Sequence, residues 1–270
     1  MDEAIGIGHD EFFKTEAYPL FKKFYEVCNQ LLGALNLMLV NRGESSEKVH
    51  VVIRFLCMMT GISFQDVGIL VSNGCGIGGM KISRSALEYA INAEYLRLFP
   101  VEYGRFRDWS WVEQHRRVMY MKEHMPSEFA KIDPAKIAAT ETNYFNVKAT
   151  FTDPKGRLSG SWCRHNLAQR AEKTDFEGPY KVIYTTGSEL SHGSFGGIAI
   201  HLEGIDGEKV YPAIPPSLTL CPQALQAAHF CTFRALQTLT LINGRDSTPS
   251  LVDLKKDYEY AWPQESRAAS

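Results

Sequence analysis

The chain has 270 residues, 44% of them hydrophobic and 22% charged, with a formal net charge of −2. That is the composition of a globular chain with a sizeable core. The near-neutral charge excludes a global basic field for nucleic acid, so any such binding needs a local patch.

From about Phe12 to Val40, apolar residues recur at Phe21, Phe24, Tyr25, Cys28, Leu31, Leu32 and Leu35, the i, i+3, i+4, i+7 pattern of an amphipathic helix. Asn41-Arg42-Gly43 closes it. A second helix is expected from Ser45-Ser46-Glu47 to about Met59. Gly61 then separates it from a segment opened by Ser63-x-x-Asp66. The glycine-rich stretch 73–79 precedes a long helix from about Met80 to Phe99, ended by Pro100. Residues 102–125 read as a further helix. Pro126-Ser-Glu and Asp133-Pro each read as a helix start, with proline at the first helical position. Residues 151–161 are a loop by composition. Trp162–Ala171, Pro179–Phe195, 217–243 and 249–260 complete the helices. Two β-leaning runs around Asp206-Gly207 predict a hairpin at 198–214. The expected fold is therefore all-α: one multi-helix bundle over 1–262, a small β-hairpin insertion near 198–214, and a disordered tail at 263–270.

The six cysteines (Cys28, Cys57, Cys75, Cys163, Cys221 and Cys231) are scattered without a C-x-x-C and read as reduced core thiols. The opening MDEAIGIGHDEFFK lacks an apolar run of signal-peptide length. The most apolar stretch, LLGALNLMLV, is too short to span a bilayer. A cytoplasmic chain without a membrane partner is expected.

Gly74-Cys-Gly76-Ile-Gly-Gly79 matches G-x-G-x-x-G, and in a dinucleotide fold such glycines let a pyrophosphate approach a helix N-terminus. That fold also needs a following strand ending in an acidic residue. Here the next twenty residues are helical, so a loop between helices is the better reading.

Two polar stripes stand out inside apolar helices. Arg84-x-x-x-Glu88 heads a face continued by Ile91, Tyr95 and Leu98. Tyr180, Tyr184, Ser188 and His192 climb a second helix in steps of four, which stacks side chains on one face. The first stripe reads as an exposed ion pair, as a buried pair fixing helix packing, or as a site. In a site, Glu88 would be base or ligand and Arg84 an anion contact. The second reads as core-edge tyrosines with a histidine at a helix end. Alternatively, His192 is a general acid/base hydrogen-bonded through Ser188 and Tyr184. No G-x-S-x-G supports a serine nucleophile, and the histidines lack zinc spacing, so neither a metal nor a cofactor is expected.

SRSALEY (83–89), SWCRHNLAQRAEK (161–173) and YKVIYTTGSELSHG (180–193) resemble an uncharacterised, mainly bacterial all-helical family. Its members carry R-x-x-x-E, a Trp-led short helix and Y-x-x-x-Y-x-x-x-S-x-x-x-H-G. The resemblance runs over roughly residues 20–245. It implies that Arg84, Glu88, Tyr184, Ser188 and His192 form one shared site. In outline the family is similar to HEPN domains of bacterial toxins and phage-defence ribonucleases, which carry R-x(4–6)-H; Arg117-x(6)-His124 has that spacing.

Two functions are expected from these residues. In an enzyme, His192 is general acid/base, Arg84 stabilises an anionic group, Glu88 orients one of them, and Tyr180, Tyr184 and Ser188 line the wall. Its concrete form is a metal-independent, RNA-directed nuclease or other phosphate-handling enzyme of a bacterial defence or stress system, with WSWVEQHRR (109–117) as the basic-aromatic surface. In a non-catalytic module, the cluster holds a small phosphate-containing ligand or locks the bundle, and exposed faces dock a partner or a second copy.

Overall fold

The computed structural model describes residues 10–40, 47–192, 194, 217–244 and 249–263. Among these the chain is all-α, without a sheet; two isolated bridges, Cys75 with Ser217 and Thr152 with Leu158, are its β-like pairings. The hairpin expected at 198–214 and all but the first residue of the tail at 263–270 lie outside the described residues. Where the sequence reads as one domain over 1–262, contacts gather into two compact units. Unit 1 is Met1–Leu98 with Arg170–Ser270, and unit 2 is Phe99–Gln169.

In unit 1, helix α1 (Tyr18–Val40) follows a helical turn at Asp10–Phe12 and a π-helical segment at Phe13–Ala17. Helix α2 runs unbroken over Lys48–Ser72, so the break expected at Gly61 does not occur. Gly61 is a packing residue: a Cβ there would strike Cδ2 of Leu35 on α1. Its absence lets the two helices approach. Tertiary contact outweighs the roughly 1 kcal/mol helix cost of one glycine. Among the described helices, α2 is the one long and apolar enough to cross a membrane; LLGALNLMLV is not part of it. Its apolarity serves burial on one side, where Ile53, Cys57, Phe64, Val67 and Val71 enter the core.

The glycine-rich stretch joins α2 to α3 (Gly76–Leu98). Gly74 takes φ +69°, a left-handed conformation open to glycine. Above Gly76, a Cβ would meet the backbone of Thr219, Leu220 and Cys221. Chain therefore occupies the place where a pyrophosphate would approach, and the loop-between-helices reading holds. Helix α3 is central. It packs against α2 and against α8 (Cys221–Asn243), which in turn touches α1 and α2. Leu87, Ile91, Tyr95 and Leu96 of α3 and Leu225, Leu236 and Leu239 of α8 are fully buried. Helix α9 (Leu251–Ala261), capped by Ser250 accepting from the Asp253 amide, lies on α1.

In unit 2, α4 (Tyr103–His124) pairs with α5 (Pro134–Val147). The expected starts appear as a short turn at Pro126–Phe129 and as α5, whose N-terminus Asp133 caps by accepting from the Ala135 amide at 2.9 Å. Trp109 packs edge-on to Phe151 at 5.1 Å, and Trp162 to Phe106 at 5.0 Å. The expected Trp162-led helix begins later, as α6 (Leu167–Lys173). A reciprocal pair fixes that start: the Gln169 amide donates to Asn166 Oδ1 and the Asn166 amide to Gln169 Oε1, both at 2.9 Å.

Candidate functional site

Helix α3 turns Met80, Ser83, Leu87 and Ile91 into the core, which leaves Arg84 and Glu88 on its flank. Their side chains are 23% and 33% exposed, and Arg84 Nη2 stands 3.0 Å from Glu88 Oε1. They face a helix spanning 177–192: a turn at Glu177–Pro179, a π-helical segment at Tyr180–Tyr184, and α7 (Thr185–His192). Arg84 Nη2 also donates to Tyr184 Oη at 2.8 Å, and the guanidinium carbon lies 4.3 Å from the centre of the Tyr184 ring. Tyr180 stacks on Tyr184 with centroids 4.7 Å apart and planes 18° from parallel.

The π-helical turn explains that alignment. On a regular α-helix a four-residue step overshoots one turn by about 40°, so the stripe would drift. A π turn bonds i to i+5 and holds more residues per turn, which reduces the drift and keeps the rings superposed. Burial raises the Tyr180 phenol above its ordinary value and the neighbouring Tyr184 adds to the rise, while Arg84 opposes it.

Gly187 sets the closeness of the two helices. A Cβ there would stand 2.7 Å from Arg84 Cβ and 3.1 Å from the Met80 carbonyl oxygen. The order of contacts is antiparallel: Tyr184 and Gly187 meet Arg84, and Gly187 also meets Met80. Glu88 and His192 therefore leave this crossing in opposite directions. His192 lies about 7.5 Å along its own helix beyond Gly187. It is exposed, and Ser188 is half-buried. The structure thus brings Arg84, Glu88, Tyr180 and Tyr184 together. Ser188 and His192 continue the same helix face without a hydrogen bond or ion pair to those four among the described residues.

One family model, described as a family of unknown function (DUF5677), matches residues 50–209. The chain belongs to the DUF5677 family. The match takes in both stripe-bearing helices and all of unit 2, and stops short of α8, which buries one side of α3. Comparison of this DUF5677 chain with curated proteins and with solved structures gave no match.

Three further features of the DUF5677 chain were not singled out as sites by sequence. Gly187 is an isolated glycine in a helical pattern, a signal for close packing. Glu94 accepts two bonds from Arg97 at 2.8 and 2.7 Å and one from Thr238 at 2.9 Å. Burial alone would raise the Glu94 carboxyl, yet Arg97, Thr238 and Arg234 outweigh it and leave it below its usual range. His229 is buried in the core between Phe24, Phe64 and Tyr258, and its Nδ1 accepts from Trp262 Nε1 at 3.0 Å. In WSWVEQHRR, Trp109 and Val112 are buried, leaving the arginines on the outer face. Among the described residues, no three His, Cys, Asp or Glu side chains gather as a metal set.

Proposed function

We propose that the Arg84 cluster is a recognition wall for a phosphate-bearing ligand, RNA or a small molecule. The observation that carries this reading is the state of Arg84. Its Nη2 is held by Glu88 and Tyr184, while its Nε is buried without a hydrogen-bond partner. A buried donor left unpaired costs about 1–3 kcal/mol, which an acceptor oxygen would recover if the wall opened to admit a ligand beside Arg84. The tyrosine pair beside it supplies a planar face for a base or another ring.

The catalytic form of this reading is a metal-independent, RNA-directed nuclease of a bacterial defence or stress system, with exposed His192 as acid/base. Under the HEPN likeness, Arg117 and His124 on α4 are the competing pair; both are exposed. The test is anisotropy and gel analysis of labelled single-stranded RNA in EDTA. Loss of binding in Arg84→Gln supports recognition. Retained binding with lost cleavage in His192→Ala assigns the nuclease, and the same pattern in Arg117→Ala assigns the α4 pair. No cleavage by wild type removes the nuclease form.

A second reading has its own support. Gly187 presses the helix backbone onto Arg84, as in a packing lock. Under that reading Arg84→Gln loses stability, while the folded variant keeps whatever RNA or nucleotide affinity the wild type has.

A further inference from the structure

Unit 2 contains a cleft of about 390 Å³ lined by Arg105, Arg157 and Arg164 with Thr150, Asp153 and Ser159. That volume lies at the small end of the range for ligand sites. Three arginines face it against a single lining carboxylate.

Arg105 is held in place before any ligand arrives. Its Nε donates to the Trp162 carbonyl at 3.1 Å and its Nη1 to the Thr150 carbonyl at 3.0 Å. The guanidinium lies 4.9 Å from the Phe151 ring centre. Neutral carbonyls satisfy these N–H groups without cancelling the charge. Glu102, 3.7 Å from Nε, offsets it in part. A guanidinium fixed in this way loses little freedom when it meets an anion.

The loop that presents Arg157 is also pre-formed. Asp153 Oδ1 accepts from the amides of Lys155 and Arg157 at 2.9 and 2.8 Å, and Gly156 turns the chain at φ +78°. A Thr152–Leu158 bridge closes the loop base. Asp153 Oδ2 stands 3.8 Å from Arg157 Nε, too long for a hydrogen bond. Two of the lining hydroxyl protons are committed, that of Thr152 to the Lys148 carbonyl at 2.8 Å and that of Ser159 to the Ser161 carbonyl at 2.7 Å. The charged donors left for a ligand are arginine N–H groups, whose planar fork matches phosphate oxygens.

We propose that this cleft binds a phosphate group, at a site separate from the Arg84 cluster and independent of its reading. The group could come from a free phosphorylated small molecule or from a nucleic-acid strand. Calorimetry on the full chain with pyrophosphate, and with a short single-stranded RNA, separates the two sources. Saturable pyrophosphate binding without RNA binding marks a small ligand. RNA binding that pyrophosphate displaces marks a strand phosphate. In either case the Arg157→Gln/Arg164→Gln double variant weakens binding at least about tenfold, and added salt weakens it further in the wild type. The double variant leaves Arg84, Glu88, Tyr180 and Tyr184 untouched, so a loss of affinity in it reads this cleft and not the other site. Both cleft substitutions are at exposed positions, so the double variant keeps the wild-type melting temperature. Retained affinity in the folded double variant, or no saturable binding of either probe to wild type, overturns the proposal.

Discussion

Arg84 holds Tyr184 in two ways at once: its Nη2 donates to the phenol oxygen at 2.8 Å, and its guanidinium carbon sits 4.3 Å from the ring centre. The two contacts can be separated by mutation. Tyr184→Phe keeps the ring and removes the hydroxyl, and should cost about 1 kcal/mol. Arg84→Ala removes the cation, its stem packing and the Glu88 pair, and should cost about 2 kcal/mol. Urea denaturation of both variants checks the order; equal losses would mean that the ring contact contributes nothing.

Gly187→Ala tests how tightly the two helices are pressed together. Alanine is the better helix former by about 1 kcal/mol. The new Cβ would nonetheless stand 2.7 Å from Arg84 Cβ and 3.1 Å from the Met80 carbonyl oxygen. Neither is the far end of a flexible side chain, so the clash prevails and the net loss should be about 1–3 kcal/mol. Gly61→Ala meets the terminal methyl of Leu35, which can rotate away, and should cost less. A variant at position 187 that melts at or above wild type would show that the helices can separate freely.

His229 makes stability depend on pH. Burial lowers its imidazole from 6.5 to about 4. Because the folded value lies below the unfolded one, the unfolded chain binds more protons between the two. Its contribution is complete above about pH 6.5 and is lost as pH falls toward about 4, up to about 3 kcal/mol. Protonation would also end the acceptance by Nδ1 of the Trp262 N–H. His229→Phe fits the aromatic surroundings and should flatten the stability curve between pH 4 and 6.5, the window set by the same two values. An unchanged slope in that variant would assign the acid sensitivity to carboxylates.

Thiol accessibility follows burial. Cys57, Cys163, Cys221 and Cys231 are buried, whereas Cys28 and Cys75 are half-buried. Burial pushes the Cys57 and Cys231 thiols far up and Cys221 to about 11, so these carry little reactive thiolate at neutral pH. A thiol reagent should modify Cys75 and, more slowly because burial raises its thiol too, Cys28 in the native chain, and all six cysteines after unfolding. Rapid native labelling of Cys57 or Cys231, read by peptide mass, would contradict the packing of α2, α3 and α8.

Local chemistry made much of this chain legible. Helical period located α1, α3, α4, α8 and α9, and proline with Asp133 marked the start of α5, because a cap and a missing N–H act within one turn. The four-residue steps from Arg84 and Tyr180 mark side chains that the structure leaves half-buried or, at His192, exposed. Gly61 misled because a glycine's helix cost is local, whereas its benefit depends on Leu35 of another helix. Gly74–Gly79 resembled a phosphate loop because the sequence does not show the backbone of residues 219–221 lying over Gly76.

The sequence by itself determined the all-α class, most helix positions and the two polar stripes, since each follows from periodicity and capping within a few residues. Only the tertiary structure decided which stripe members meet. Gly187 brings Arg84 to Tyr184, the π-helical turn superposes Tyr180 on Tyr184, and the antiparallel crossing carries His192 away from Glu88. Arg105, Arg157 and Arg164 share a cleft for the same reason. Their proximity comes from packing across dozens of residues, and no short-range pattern encodes it.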